Sequence, residues 1–316
     1  NVRHFIHIYK QAGQDCTSSE NTCIGAGSGS QLTSGQGNTS LGRNSLVLAT
    51  TGSSNIAIGV DAMEQTTTGA ANVTIGSYAL QDNTTGGNNV AIGYNAGHEN
   101  TVSSASTYVG SYAGQRISGS QNVALGYNAL KGGTAAAAAN RNVAIGTDAG
   151  ESITTGGYNV LIGWRAGQDT TTGTNRVIIG YDADASSATV DNEITLGNSS
   201  HTSLRCATQT ISSLSDGRDK TEVEDLPLGL DFIDTLRPVK FKWDTRDGNI
   251  RDGTYDAGFI AQDLQSAQST SDAEYLKMVM DSNPDRLEAA YGQLIPVLVQ
   301  AIKDLKSEIE TLKSNV

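Results

Sequence analysis

The sequence repeats itself at a nearly constant interval, and this constrains the fold more than any other feature. One glycine recurs in steps of 17 residues, interrupted by a single step of 16 and a single step of 20. An aliphatic residue always precedes this glycine, and Ala or Ser always stands three residues after it. The copies of the glycine are Gly25, Gly42, Gly59, Gly76, Gly93, Gly110, Gly126, Gly146, Gly163, Gly180 and Gly197.

The repeated unit reads N-V-x-I-G-x-x-A, as in residues 89–96 and 142–149. Its Val and Ile are two positions apart, so on a strand they share one face. The glycine ends the strand and permits a bend that a Cβ would oppose. The Asn suits a corner, because its amide can satisfy turn backbone groups and bond to the next copy. We therefore predict a β-solenoid over residues 21–200, with one rung per repeat.

A rung of this length encloses only about two or three apolar side chains, so the core is thin and side-by-side association of chains is expected. The long step contains the Ala-rich stretch 135–139, which we predict to bulge from the surface without shifting the rungs. The units at 89–96 and 142–149 resemble the head repeats of trimeric autotransporter adhesins, although the period here is longer. This resemblance implies a trimeric β-roll.

Composition changes sharply near residue 214. Residues 1–214 hold 30 of the 36 glycines, whereas residues 215–316 contribute -8 of the net charge of -12. Such a change indicates a domain boundary. We predict five segments, namely the end of an upstream region (1–20), the repeat stalk (21–200), a junction (201–214), an α+β domain (215–284) and a C-terminal coiled-coil helix (285–316).

Charge and apolar content exclude several classes of partner. An acidic chain repels phosphate backbones, so we expect no nucleic acid. No apolar run approaches the roughly 20 residues of a membrane helix, so we expect no membrane insertion. The three cysteines, Cys16, Cys23 and Cys206, show no metal-binding spacing, and unpaired thiols are favoured over a Cys16–Cys23 bridge. We expect no metal and no cofactor. Because the chain begins at Asn1 without Met or a signal pattern, we expect it to be a piece of a longer protein.

The C-terminal third has ordinary α+β patterning. Residues 228–236 have helical spacing that stops before Pro238, residues 239–243 alternate as a half-buried strand, and residues 257–261 indicate a second strand leading into a short helix. Asn283, Pro284 and Asp285 together predict a helix start. From there apolar residues follow in alternating steps of 4 and 3, the seam of a coiled coil, at Tyr291, Ile295, Leu298, Ile302, Leu305, Ile309 and Leu312. Pro296 predicts a kink or a restart within it.

Several short motifs carry a second resemblance. Ser215-Asp-x-Arg-x-Lys220 is followed in order by L-G-L-D-F-I (228–233), L-R-P-V-K (236–240), G-F-I-A-Q-D (258–263) and L-I-P-V-L-V (294–299). Together these closely resemble the endosialidase-type intramolecular chaperone found at the ends of phage tail spikes and fibres. The resemblance implies a domain that trimerises its chain and then cuts it between Leu214 and Ser215. It makes Ser215 the nucleophile and Lys220 the general base.

This chemistry makes demands on the surroundings of both residues. A serine hydroxyl becomes a good nucleophile only when a base takes its proton. A lysine can be that base only if its pKa falls well below about 10.4, which burial or a nearby cation achieves. Arg218 is the adjacent cation and therefore a candidate for tuning that pKa, whereas Asp216 and Asp219 would act in the opposite direction. The oxyanion donor is not evident from the sequence.

Aromatic residues cluster just after the repeat glycine. Stacked rungs would align Tyr94, Tyr127, Trp164 and Tyr181 into a stripe that can hold glycan rings, with Tyr78 and Tyr112 one position later. Packing between chains or stacking between rungs is the alternative interpretation and the favoured one. The paired acids Asp182 and Asp184 offer only a weak case for a glycosidase, since nothing places a second carboxylate opposite them.

The fold class is thus mainly β, a trimeric β-solenoid or β-roll followed by a small α+β chaperone domain and a trimeric coiled-coil helix. We predict a homotrimeric virion fibre of a phage, made in the host cytoplasm, that joins upstream tail proteins and binds a host cell-surface glycan or protein receptor. The alternatives are a bacterial trimeric surface adhesin and a glycan-degrading tailspike whose catalytic part lies elsewhere. Self-cleavage would be a single-turnover serine endopeptidase reaction.

Overall fold

The computed structural model describes residues 6–8, 11–133, 137–201, 203–205, 215–245 and 252–315. The chain divides into two compact units, residues 1–198 and residues 199–316. Leu214, on one side of the predicted cleavage junction, and Cys206 lie outside the described residues.

The first unit is a parallel β-solenoid, as predicted. Its strands are three residues long and form one sheet in which each strand pairs with the next along the chain. The strands are β1 (Ile6–Ile8), β2 (Thr22–Ile24), β3 (Thr39–Leu41), β4 (Ile56–Ile58), β5 (Val73–Ile75), β6 (Val90–Ile92), β7 (Thr107–Val109), β8 (Val123–Leu125), β9 (Val143–Ile145), β10 (Val160–Ile162), β11 (Val177–Ile179) and β12 (Ile194–Leu196).

The rungs keep one register throughout. Strands separated by the long step still pair position for position, with Val123 opposite Val143. The prediction that the insertion leaves the rungs in register is therefore confirmed, although Ala137 and Ala139 are buried and do not lie on the surface. Strand β1 pairs with β2 in the same way and adds a rung within residues 1–20, which were predicted to be the end of an upstream region.

The core lies on the face opposite the Val and Ile of the repeat. The middle residue of each strand from β2 to β11 is buried, whereas the flanking aliphatic residues are half-buried or exposed, as Ile75 and Leu125 show. Small residues prevail at the middle position because each rung encloses little space. These middle residues are Cys23, Ser40, Ala57, Thr74, Ala91, Tyr108, Ala124, Ala144, Leu161 and Ile178.

Buried asparagines form a ladder along one corner, as the sequence predicted. Asn72 Nδ2 donates to Asn55 Oδ1 of the preceding rung at 3.1 Å and to the Gly86 carbonyl at 3.0 Å. The Asn89 backbone N–H donates in turn to Asn72 Oδ1 at 2.9 Å. Arg176 occupies the same position near the end of the solenoid and is fully buried, so the ladder ends there.

The repeat glycine permits close approach between rungs. Gly59 has a φ of 142°, and a Cβ at this position would lie 2.4 Å from the Gly76 carbonyl oxygen of the next rung. The thiols Cys16 and Cys23 are unpaired, in agreement with the favoured interpretation.

The second unit is a small α+β domain. Strand β13 (Val239–Lys242) pairs antiparallel with β14 (Tyr255–Gly258), and β15 (Val279–Met280) pairs antiparallel with β16 (Glu288–Ala289). Leu228, Phe232, Leu264 and Val297 lie in its core. Its elements are α1 (Leu230–Thr235), β13 (Val239–Lys242), β14 (Tyr255–Gly258), α2 (Ala261–Thr270), β15 (Val279–Met280), β16 (Glu288–Ala289) and α3 (Ile295–Ser314).

The C-terminal helix begins later than predicted. Asn283 does not cap a helix; its Oδ1 accepts from the Asp285 backbone N–H at 3.1 Å in a local turn. The chain then forms β16, so residues 285–290 are not helical, because pairing with β15 overrides the local cap signals. A 3-10 turn at Tyr291–Leu294 leads into α3, where Pro296 lies in the first turn and no backbone N–H is needed. Pro296 therefore lies at the start of the α-helix and not within it, so neither the predicted kink nor the predicted restart occurs there.

Candidate active site

The segment Ser215–Lys220 folds into a compact exposed turn. Asp216 Oδ1 accepts from the Arg218 backbone N–H at 2.9 Å, which starts a 3-10 turn at Gly217–Asp219. The Lys220 backbone N–H donates to the Gly217 carbonyl at 3.3 Å and closes that turn. The chain thereby reverses, so that the two ends of the segment meet.

The turn brings the two predicted catalytic side chains together. Lys220 Nζ lies 2.6 Å from Ser215 Oγ and donates a hydrogen bond to it. A lysine that loses its proton reverses the direction of such a bond and accepts the hydroxyl proton, which activates the serine. Both side chains are exposed in the single chain, so nothing within the turn shields them from water.

The charged residues beside the Ser215–Lys220 contact, Arg218 and Asp216, form an ion pair with each other. Arg218 Nε lies 3.1 Å from both carboxylate oxygens of Asp216, and Nη2 lies 2.5 Å from Oδ2. This side-chain hydrogen bonding lowers the pKa of Asp216 and raises the pKa of Arg218. The guanidinium therefore neutralises Asp216 in this arrangement, and a role of Arg218 in tuning Lys220 stays a prediction.

The site is followed by residues that anchor it to the domain core. Leu226 packs against the core and Leu228 is buried within it, although residues 220–228 form no regular element. Arg237, which follows α1, forms an ion pair with Asp263 of α2 at 2.7 Å. The Tyr291 hydroxyl accepts from the Phe259 backbone N–H at 3.2 Å.

Helix α3 has two distinct apolar faces. Val297 and Ala301 are buried against the domain, and Asp304 Oδ2 accepts from the Leu230 backbone N–H of α1 at 3.1 Å. The other face is exposed and carries the predicted seam. Its residues are Ile295 (63% exposed), Leu298 (45%), Ile302 (66%), Leu305 (42%), Ile309 (50%) and Leu312 (66%).

The aromatic residues singled out in the repeat fall into two separate runs. Tyr94 and Tyr127 both contact Tyr112, with ring centroids 5.4 and 5.9 Å apart. Trp164 instead stacks on Tyr181 at 4.9 Å. Contact between rungs, the favoured interpretation, is present in both runs, and ligand binding by these residues stays a prediction.

The remaining acidic candidates have local partners. Asp182 lies 3.3 Å from Arg165 Nη1, and burial raises the pKa of Asp184. Within the described residues, no three His, Cys, Asp or Glu side chains gather as a metal site. Among the same residues, none of the helices combines the length and apolar character that a bilayer crossing requires.

Two features of functional interest were missed from the sequence. The outward direction of the repeat Val and Ile residues places aliphatic columns on the surface of the sheet. Tyr78 and Tyr112 have φ angles of 60° and 62°, in a left-handed conformation that bulky residues rarely adopt. A clue to the second was available, since most other repeats have Asn or Asp at that position.

Comparison with known families bears on the second unit. Residues 215–272 match the family model described as the chaperone of endosialidase, and the match begins at Ser215. This match supports an intramolecular chaperone at the C-terminal end of the chain. Neither a curated protein nor a solved structure gave a significant match.

Proposed function

We propose that residues 215–316 are an intramolecular chaperone that joins three copies of this chain and then releases itself by cleavage before Ser215. The repeat solenoid is the product that remains. It serves as an adhesive fibre on a phage virion, joined to upstream tail proteins, and it recognises a host cell-surface receptor. The chain is made in the host cytoplasm and is assembled there.

The main observation that supports the proposed trimerisation is the exposed seam of α3. Six large aliphatic side chains repeat at alternating steps of three and four on one face, and each is at least 42% exposed in the single chain. Such spacing suits knobs-into-holes contact with helices of the same repeat. The adjacent face packs against the domain through the buried residues Val297 and Ala301, whereas the seam stays exposed and is available for the same helix of other copies.

The solenoid offers a second surface suited to the same partners. Its outward columns place Val, Thr or Ile before the middle residue and Ile, Leu or Val after it, on one rung after another. Ile56, Ile75 and Ile179 are 38–40% exposed, although all three lie within an ordered sheet. A partner that covers such columns needs the same spacing of rungs, which another copy of this chain has. The columns carry no charge, so burying them incurs no charge desolvation.

Cleavage is proposed to follow from the Ser215–Lys220 contact. Neutral Lys220 Nζ removes the hydroxyl proton, and Ser215 Oγ attacks the Leu214 carbonyl carbon. The C–N bond then breaks, the Ser215 amine takes the proton from Lys220, and an ester joins Leu214 to Oγ. Water hydrolyses this ester, which leaves a Leu214 carboxylate and restores the Ser215 hydroxyl. Since the two side chains lie on one turn of one chain, the reaction is intramolecular and occurs once.

Exposure of this pair in the single chain explains why assembly would precede cutting. A protonated lysine in water keeps its proton, and its pKa falls when it is shielded from solvent. Packing of neighbouring copies around the turn supplies such shielding. Cleavage before assembly would remove the chaperone too early, so a dependence on assembly protects the order of events.

The test compares the wild-type chain with Ser215→Ala on a denaturing gel. The wild type should yield the fragments 1–214 and 215–316, and the variant should stay at full length. Lys220→Met should also block cleavage, whereas Asp219→Asn, a change of an exposed neighbour, should still be cut. Equal bands for wild type and Ser215→Ala would refute self-cleavage, while trimer mass measured by light scattering tests assembly independently.

A further inference from the structure

Four consecutive rungs of the solenoid carry an alternating pattern of tyrosines and neutral polar residues. The pattern occupies the two positions that follow the repeat glycine, at the corner where each strand ends. On one rung the tyrosine takes the second position, and on the next rung it takes the first. We call this surface the tyrosine checkerboard, and its residues are Ser77, Tyr78, Tyr94, Asn95, Ser111, Tyr112, Tyr127 and Asn128.

Alternation of the tyrosines changes how their rings meet. Tyr94 lies 5.7 Å from Tyr78 and 5.4 Å from Tyr112, with interplanar angles of 89° and 78°. In such an edge-to-face run, every second ring directs its faces away from its neighbours in the run. Trp164 and Tyr181 both occupy the first position on adjacent rungs, and they stack at 15° so that each covers a face of the other. The alternating arrangement therefore keeps aromatic faces available.

The backbone at the second position makes this arrangement unfavourable for folding. Asn44, Asp61 and Asn95 adopt φ angles of 53–55° there, which Asn and Asp tolerate. Tyr78 and Tyr112 adopt the same conformation without that tolerance. The left-handed backbone costs conformational free energy, and contacts between the aromatic rings contribute a stabilisation of only about the same size. Stability alone thus gives no reason to replace Asn or Asp with Tyr on two of these four rungs.

The charges around the checkerboard restrict what it can bind. On the preceding rungs Arg43 forms an ion pair with Asp61 at 3.1 Å, and beyond the checkerboard Arg165 forms one with Asp182 at 3.3 Å. On the four rungs of the checkerboard the two corner positions carry only phenol, hydroxyl and amide groups. The carboxylate of Asp148 on the next rung accepts a hydrogen bond from Asn128 Nδ2 at 3.0 Å. Aromatic faces beside neutral hydrogen-bonding groups suit a ligand that is itself neutral and rich in hydroxyls.

We propose that the tyrosine checkerboard binds a neutral linear glycan that lies along the rod. Sugar rings pack on the exposed side chains of Tyr94 and Tyr127, which are 44% and 50% exposed, and the half-buried side chain of Asn95 bonds to the sugar hydroxyls. A surface that repeats from rung to rung suits a polymer that also repeats. The site rests on the proposed role of the rod in host recognition. It lies beyond the glycine that ends the aliphatic columns, so it is separate from the surface proposed for contact between copies.

The experiment uses the full chain on an array of immobilised neutral linear oligosaccharides, with uronate-bearing and sulfated oligosaccharides as a second arm. The wild type should bind at least one neutral class. The double variant Tyr94→Ala/Tyr127→Ala should lose roughly tenfold or more in affinity, since each ring contact is modest and two are removed. Tyr181→Ala is the matched control, an exposed tyrosine at the same corner position outside the checkerboard, and it should bind as the wild type does.

A second variant separates binding from folding. Tyr112→Asn installs the residue that the repeat prefers at this position, so its melting temperature should stay the same or rise while glycan binding falls. Three results would refute the proposed glycan site. They are binding confined to anionic oligosaccharides, no binding at all, and equal binding by the wild type and both checkerboard variants. Light scattering on the same samples reports assembly, so a trimer without glycan binding refutes this site alone, and a glycan-binding monomer refutes the assembly proposal alone.

Discussion

The seam of α3 allows a quantitative test of assembly through the single substitution Ile302→Ala. Ile302 is 66% exposed in the single chain and faces away from Val297 and Ala301, which are buried in the domain. Truncating it should therefore leave the fold of each copy intact. The substitution is made in Ser215→Ala protein, so that the helix stays attached to the solenoid during the measurement.

The expected loss follows from the exposed area. Full burial of an Ile side chain is worth about 1.5–3 kcal/mol, and since two thirds of this side chain is still exposed, about 1–2 kcal/mol per chain is to be gained on assembly. A trimer loses this three times, so the substitution should weaken it by about 3–6 kcal/mol, or roughly 10² to 10⁴ in the dissociation constant. Ala is the better helix former, so any weakening cannot come from a weaker helix.

Sedimentation over a range of concentrations measures this change. Lys303→Ala is the control, because it alters the adjacent exposed residue of the same helix outside the seam, and its dissociation should match that of the parent. If Ile302→Ala dissociates like the parent, or if the parent itself is a monomer at every concentration, the seam does not hold copies together and the reasoning fails.

Two further predictions concern the solenoid. Gly59→Ala should destabilise it by about 2 kcal/mol or more, because the new Cβ would lie 2.4 Å from the Gly76 carbonyl oxygen and the residue would keep a positive φ. Gly292→Ala is the control, since a Cβ there meets open space. Equal melting temperatures for the two variants would contradict the close approach of the rungs. Burial, with a contribution from Cys16, raises the pKa of Cys23 to about 11, so at pH 8 its thiol stays protonated and iodoacetamide should modify it only after unfolding. Peptide mapping that found Cys23 modified as fast as Cys16 in the folded protein would rule this out.

The period of the repeat was sufficient to predict the solenoid and its register. When each unit repeats its neighbour, the only pairing that satisfies every backbone group is the one that places equal positions opposite one another, as Val73 and Val90 are. The insertion before β9 could be accommodated for the same reason, since β8 and β9 still pair position for position.

It was harder to predict from the sequence which strand residues face the core of the solenoid and which face its surface. On a strand of three residues either the middle residue or its two neighbours can face the core, and the alternation alone does not decide. The volume of the rung decides, because Ala91 fits between close backbones and the pair Val90 and Ile92 does not. The small middle residues were visible in the sequence, and they are the signal that would have given the direction.

The second unit shows where local signals fail. Asn283, Pro284 and Asp285 satisfy every rule for a helix start, yet β15 offers Glu288 and Ala289 a strand partner that no local rule detects. The turn at Ser215 was better determined, since only four residues separate Ser215 from Lys220 and the Asp216 side chain accepts a hydrogen bond within the turn. The oxyanion donor stays unpredicted because groups far away in the sequence, or in another copy, supply such donors.

The regularity of the solenoid explains why a trimerising domain with a different sequence would be needed at its end. If three rods associate through aliphatic columns that repeat every rung, a slip of one rung removes only about one eleventh of the contact, because the other rungs find equivalent partners. Misaligned trimers would then be almost as stable as aligned ones and slow to correct. In the proposed trimer helix α3 would remove this ambiguity of register, since its seam includes Leu298, Ile302 and Leu305 and has a period unrelated to that of the rungs. In the proposed assembly, once three solenoids have paired in register, the contacts between them would hold that register, and removal of the helix would leave the alignment intact.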